Sequence, residues 1–210
     1  MAIFAIADLH LSFNEDKPMN IFGEKWQNHE EKIKQDWIEK VTEKDTVLLP
    51  GDFSWSMYLK DTKADFEYLN KLPGRKILLK GNHDYWWSTL NKMNNYIDEN
   101  QFKNIDFLYN NSYEVEGNII AGTRGWVQSN EEDKPIIICM HYPPYTNYNK
   151  QNLIDSPFIE IMRKYNVKKC IYGHLHGESI KEAIQGNIKG IDTKLLSADG
   201  VNFKLIKIKE

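Results

Sequence analysis

Six histidines occur in the 210 residues, and five of them directly follow short apolar runs. His10 follows Ile3-Phe4-Ala5-Ile6-Ala7, and His83 follows Lys76-Ile77-Leu78-Leu79-Lys80. His141 follows Pro135 to Met140, while His174 and His176 follow Lys169-Cys170-Ile171-Tyr172. Carboxylates and an amide share these places: Asp8 before His10, Asp52 after Thr46 to Pro50, and Asn82 and Asp84 on either side of His83. Carboxylate, amide and imidazole donors without a thiolate suit Mn, Fe, Zn, Mg, Co or Ni, and not Cu(I) or an iron–sulfur cluster. Seven ligands of this kind exceed one tetrahedral zinc and match two ions that share a bridging carboxylate. On an extended backbone, Asp8-x-His10 and His174-x-His176 would each present two ligands on one face, because the side-chain period is two. Gly51, Gly81 and Gly173 precede the bulky polar residues and leave room for them.

The apolar runs read as buried strands: short, continuous and rich in Ile, Leu and Val. Asn118 to Ala121 continues the series, and the tail from Phe203 to Lys209 alternates as a strand with one wet face does. Between them, Glu30 to Val41 carries Ile33, Trp37, Ile38 and Val41 at helical spacing. Thr62 to Leu72 reads as a helix stopped by Pro73-Gly74, and Tyr85 to Ile97 as a third. A fourth runs from Pro157 to Tyr165, with Ser156 in the N-cap position and Pro at the first turn. Strands alternating with helices predict an α/β domain whose strand ends line a ligand crevice. Fewer helices separate the later strands, which predicts a second, more antiparallel sheet. Gly122 to Lys134 reads as an exposed loop, and Phe13 to Lys25 as a loop over the cleft. With no repeat and no linker, residues 1–210 read as a single domain.

Composition narrows the partners. Lys+Arg 27 against Asp+Glu 30 gives a net charge of −3, which disfavours a long nucleic acid held by bulk charge. No apolar run approaches the roughly 20 residues a membrane span needs, and the N-terminus does not read as a secretory signal. Cys139 and Cys170 are the two cysteines, too few for a disulfide scaffold, so a cytoplasmic setting is expected.

Taken singly, each motif has a plain reading as a turn, a cap or a core histidine. Taken together and in order, Asp-x-His, Gly-Asp, Gly-Asn-His-Asp, His and Gly-His-x-His resemble the calcineurin-like metallophosphoesterase superfamily, from Asp8 to His176. The further pattern Gly-Asp-x-Ser-Trp, Gly-Asn-His-Asp-Tyr-Trp-Trp, Gly-Thr-x-Gly-Trp and His-Tyr-Pro-Pro is similar to a small bacterial subgroup of predicted phosphohydrolases. The resemblance implies an α/β four-layer sandwich, two mixed β-sheets flanked by helices, with a dinuclear metal site at the strand ends. It implies that Asp8, His10, Asp52 and His176 hold one divalent ion and that Asp52, Asn82, His141 and His174 hold the other. His83 would face the substrate, with Asp84 orienting it from behind. One departure is Phe53-Ser54-Trp55 after the Gly-Asp pair, where many members carry another acidic residue. This predicts a different substrate wall.

The activity so implied is hydrolysis of a small phosphate mono- or diester by a metal-bridging hydroxide, with manganese among the candidate ions and His83 stabilising charge or protonating the leaving group. A nuclease or cyclic-nucleotide phosphodiesterase of the same fold is the alternative. A non-catalytic binding scaffold ranks below both, because every ligand position is filled. The oligomeric state is left open. For the substrate wall, Trp55 and Trp126 would stack on a ring and Arg124 would pair with a phosphate oxygen. One of Trp86 and Trp87 is expected in the core, and His29 is expected at a solvated helix start.

Overall fold

A computed structural model of the chain describes residues 1–122, 135–145 and 156–209. Eleven strands and four α-helices fall among these residues. The first sheet contains β1 (Ile3–Ala5), β2 (Thr46–Leu49), β3 (Arg75–Leu79), β4 (Ile105–Leu108) and β11 (Ile206–Lys209), in the order β11-β1-β2-β3-β4. Its pairings are parallel except for β11, which runs antiparallel to β1. The second sheet contains β5 (Asn111–Val115), β6 (Asn118–Gly122), β7 (Ile136–Cys139), β8 (Val167–Tyr172), β9 (Gly186–Ile188) and β10 (Ile191–Leu195), in the order β5-β6-β7-β8-β10-β9.

The two sheets stack face to face, and the alternation of side chains along β1 shows how. Ile3 and Ala5 join Leu48, Ile77 and Leu79 against Ile120, Ile137, Cys139 and Ile171 of the second sheet. Phe4 and Ile6 point the other way. There they meet Ile33 and Trp37 of α1 (His29–Lys40), Phe66 and Leu69 of α2 (Lys63–Asn70), and Met93 and Ile97 of α3 (Leu90–Glu99). Behind the second sheet, Ile138, Cys170 and Tyr172 pack on Ile159 and Met162 of α4 (Pro157–Lys164). The result is the expected order of helix, sheet, sheet, helix.

Two expectations change. The second sheet is parallel through its middle, β6-β7-β8-β10, and antiparallel only at its edges. Helix α4 lies between β7 and β8 along the chain, as a parallel crossover requires. Helix α3 starts at Leu90 rather than Tyr85, because Thr89 caps it, accepting from the Lys92 N–H at 3.4 Å. The Ser156 cap and Pro157 start of α4 are as expected. Among the described residues, no helix is long and apolar enough to cross a membrane. The loop expected from Gly122 to Lys134 lies outside the described residues beyond Gly122 itself, and so do Arg124 and Trp126.

Candidate metal centre

The polar residues that end β1, β2, β3, β7 and β8 converge on one point. Asp8 Oδ1 lies 3.7 Å from His176 Nε2 and 3.8 Å from His141 Nδ1. Asp52 Oδ2 lies 3.8 Å from His10 Nε2 and 3.5 Å from His141 Nε2. Asn82 Oδ1 faces two rings, at 2.5 Å from His141 Nε2 and 2.9 Å from His174 Nδ1. Two compact groupings result, Asp8 with His10 and His176, and Asp8 with Asp52 and His141. All seven predicted ligands are thus brought together, and Asp52 stands between His10 on one side and His141 on the other.

The blocks are not extended, as the two-residue spacing had suggested. Asp8, His10, Asp52 and His174 all have positive φ, at 58°, 47°, 52° and 74°. A non-glycine residue in this region costs about 1–3 kcal/mol, and such strain persists only where the surroundings enforce it. Part of the enforcement is backbone pairing across strand ends: the Asp8 N–H donates to Gly51 O at 2.9 Å and the His10 N–H to Asp52 O at 3.0 Å. Close packing supplies more. A Cβ on Gly81 would collide with the Asp52 carboxylate, and one on Gly173 would collide with that of Asp8. Both positions therefore need glycine.

Asp84 is fully buried and accepts five hydrogen bonds. The donors are the N–H groups of Gly81 (2.7 Å), Asp52 (2.9 Å), Phe53 (2.9 Å) and Ser54 (3.2 Å), and Trp86 Nε1 (2.9 Å). It ties the loop after β2 to the loop after β3. The backbone N–H of His83 donates to Asp52 Oδ1 at 2.8 Å, while its ring Nδ1 is buried without a hydrogen-bond partner among the described residues. The His83 ring packs instead against Trp55 at 4.5 Å and His10 at 5.6 Å.

The charges are unbalanced in a telling way. Burial pushes the Asp52 carboxyl up to about 8, and the nearby Asp84 and Asp8 add repulsion. Burial pushes His10 down to about 3 and His141 down to about 4, so both rings are neutral. Burial also disfavours a charged His176, but Asp199 and Asp8 outweigh it and hold the ring up at about 10. Mutually repelling carboxylates beside the His10 and His141 rings, which burial keeps neutral, form a donor set whose strain a cation would relieve. In addition, His10 Nδ1 and His176 Nε2 are buried without hydrogen-bond partners among the described residues, a state that costs free energy unless a cation or proton engages them. The donor set therefore fits divalent ions.

Sequence reasoning missed two neighbours. Asp199 accepts from His176 Nδ1 at 2.8 Å and from the Gly177 N–H at 2.9 Å, leaving Nε2 of that ring to face Asp8. Trp26 packs on His10 at 5.8 Å and on His176 at 5.7 Å. Asp199 lies in Ser197-Ala198-Asp199-Gly200, which looks like a turn; Trp26 lies outside every motif. His29 is buried rather than solvated, with Nε2 3.0 Å from Leu9 O. Trp55 stacks on His10 at 5.0 Å and carries the Lys17 ammonium over its ring at 4.7 Å. Trp86 is in the core, as expected for one of that pair, and Trp87 packs against it.

The calcineurin-like phosphoesterase family profile matches residues 1–178. The chain belongs to this family. A probable cyclic nucleotide phosphodiesterase of Coxiella burnetii is 30% identical over 155 residues, which cover 64% of this chain and 61% of that relative. The chain thus spans about three-fifths of the relative's length. Among solved structures, a protein from Aquifex aeolicus aligns with a TM-score of 0.57 and 22% identity, over 98% of this chain and 95% of that one. A protein from Thermus thermophilus aligns at 0.58 and 11%, over 99% and 97%. The phosphopantetheinyl hydrolase of Mycobacterium tuberculosis aligns at 0.54 and 14%, over 93% and 88%. These likenesses establish the shared calcineurin-like fold.

Proposed function

We propose that the chain is a dinuclear metal-dependent hydrolase of small phosphate mono- or diesters. The observation that carries this reading is the convergence of seven side chains from five strand ends, two carboxylates, one amide and four imidazoles, with buried ring nitrogens that lack hydrogen-bond partners among the described residues. Asp8, His10, Asp52 and His176 would hold one ion; Asp52, Asn82, His141 and His174 would hold the other. Two divalent ions so held supply the charge that polarises the phosphoryl oxygens and makes water acidic enough to attack at neutral pH.

The chain's own residues do the rest. Asp52, with Oδ2 at 3.8 Å from His10 Nε2 and 3.5 Å from His141 Nε2, is placed to be shared between the two ion sites and would set their spacing. Asp199 keeps the proton of His176 on Nδ1, which leaves Nε2 as the ligand atom. Burial, together with His174 and His176, pushes the His83 ring below its ordinary pKa. His83 is therefore a neutral N–H donor, suited to the charge that develops on a phosphoryl oxygen. Asp84 acts on His83 through the backbone: it locks the Gly81 to Trp86 turn onto Asp52, Phe53 and Ser54.

A second reading, cleavage of a cyclic nucleotide, is favoured by the Coxiella relative. The test is an assay of the protein, stripped of metal and reloaded with Mn²⁺, against p-nitrophenyl phosphate, bis-p-nitrophenyl phosphate and a 3′,5′-cyclic nucleotide. Metal-dependent turnover of the first two supports the phosphoesterase reading, and turnover of the third identifies the second reading. Bound metal with no turnover of any of them would point to a binding scaffold.

A further inference from the structure

Three of the large exposed side chains lie in loops that carry candidate ligands: Tyr58 after β2, Tyr85 after β3 and Tyr142 after β7. Two of these touch the centre itself. Tyr142 is 52% exposed, yet its ring lies 4.4 Å from that of His174 and 5.2 Å from that of His141. Tyr85 is likewise 52% exposed and lies 6.1 Å from His83, edge to face at 85°. Asn82, the chain neighbour of His83, lies 2.9 Å from His174 Nδ1, so each tyrosine stands beside a histidine of the same centre. Both rings are left half in water beside polar side chains of the centre.

Of the two tryptophans that sequence suggested for a stacking wall, Trp126 lies outside the described residues, and Trp55 is engaged by His10, His83 and Lys17.

The geometry points to Tyr85 and Tyr142 as the walls of a subsite for a planar aromatic ring carried by the phosphate ester. This rests on the phosphohydrolase reading and names its substrate class. A phosphate seated among the seven ligands brings its ester substituent against the outer neighbours of His83 and His174, which are these two rings. Offset or edge-to-face contact with an aromatic group supplies attraction that an aliphatic group of equal size does not receive. The Lys17 ammonium, over Trp55 and near His83, adds attraction for the phosphate itself.

The test is calorimetric binding of phenylphosphonate and cyclohexylphosphonate, neither of which is hydrolysed, to the Mn²⁺-loaded protein. Phenylphosphonate is expected to bind about 2–12-fold tighter. Tyr142→Phe and Tyr85→Phe should keep that ratio, because the ring is kept. Tyr142→Leu and Tyr85→Leu should each move it towards one. A ratio of one in the unmodified protein, or a ratio unchanged in both leucine variants, overturns the inference. If p-nitrophenyl phosphate is hydrolysed while the ratio is one, only the ring subsite fails. If it is not hydrolysed at all, the phosphohydrolase reading fails and takes the subsite with it. Once the ratio holds, kcat/KM for phenyl phosphate against adenosine 5′-monophosphate tells a simple aryl group from a nucleobase.

Discussion

At His83 the proposed function favours one of two roles that the sequence left joined. Its pKa is pushed down by burial and by His174 and His176, which favours a neutral hydrogen-bond donor over a general acid. His83→Ala should keep both metals and lose about 10²–10³ in kcat, the usual cost of one preorganised donor. The loss should be the same for esters with good and poor leaving groups. A loss that shrinks for good leaving groups, measured across a series of aryl phosphates, would restore the general-acid role. Asp199 makes a second residue-level case. Asp199→Ala should weaken metal binding by about 10–100-fold, while Asp199→Asn, which still accepts from Nδ1, should weaken it less. Competition with a chelating dye measures both, and equal affinity in all three proteins would count against a positioning role. The convergence of the candidate ligands was legible in the sequence because each polar block interrupts an apolar run. Asp199 was not, since one aspartate before a glycine resembles any turn, and its partner is 23 positions away.

Among the elements, β3 carries an unusual burden. Lys76 is 1% exposed, and its Nζ donates to Leu72 O. Burial pushes its pKa from the usual 10.5 down to about 8, with Glu43 opposing. Between pH 8 and 10.5 the unfolded chain therefore holds the proton more often than the folded one, so this residue's contribution to stability rises with pH across that window. Lys76→Met should raise Tm at pH 7, and the gain should shrink as pH approaches 10.5. Thermal unfolding of both proteins at a series of pH values checks this; a gain independent of pH would contradict it. The strands that sequence revealed are those with continuous apolar runs, β1, β2, β3, β6, β7 and β8, together with the alternating β11. Those it missed are β4 (Ile-Asp-Phe-Leu), β5 (Asn-Ser-Tyr-Glu-Val), β9 (Gly-Asn-Ile) and β10 (Ile-Asp-Thr-Lys-Leu). Three of the four lie at sheet edges and β10 is next to one. In β5, β9 and β10 exposed polar residues dilute the apolar signal, and in the mostly buried β4 Asp106 interrupts it.

For the whole molecule, the two sheets matter because they bring strand ends from both halves to one place. Asp8, Asp52 and Asn82 come from the first sheet, and His141, His174 and His176 from the second. Neither sheet alone assembles a centre, and the interface between them, with Ile3, Ala5, Leu48, Ile137 and Ile171, sets the distance across it. The expectation of a more antiparallel second sheet failed because it rested on helix counts, whereas α4 alone provides the crossover between β7 and β8. The proposed activity depends on Asp52 joining two ions in one centre. The decisive measurement is the metal content of the Asp52→Asn variant beside the unmodified protein, each reloaded with Mn²⁺ and assayed on bis-p-nitrophenyl phosphate. The unmodified protein should hold two equivalents and show chelator-sensitive turnover, and the variant should lose both ions and activity. Two equivalents retained by Asp52→Asn, or turnover that survives complete removal of metal, would contradict that role.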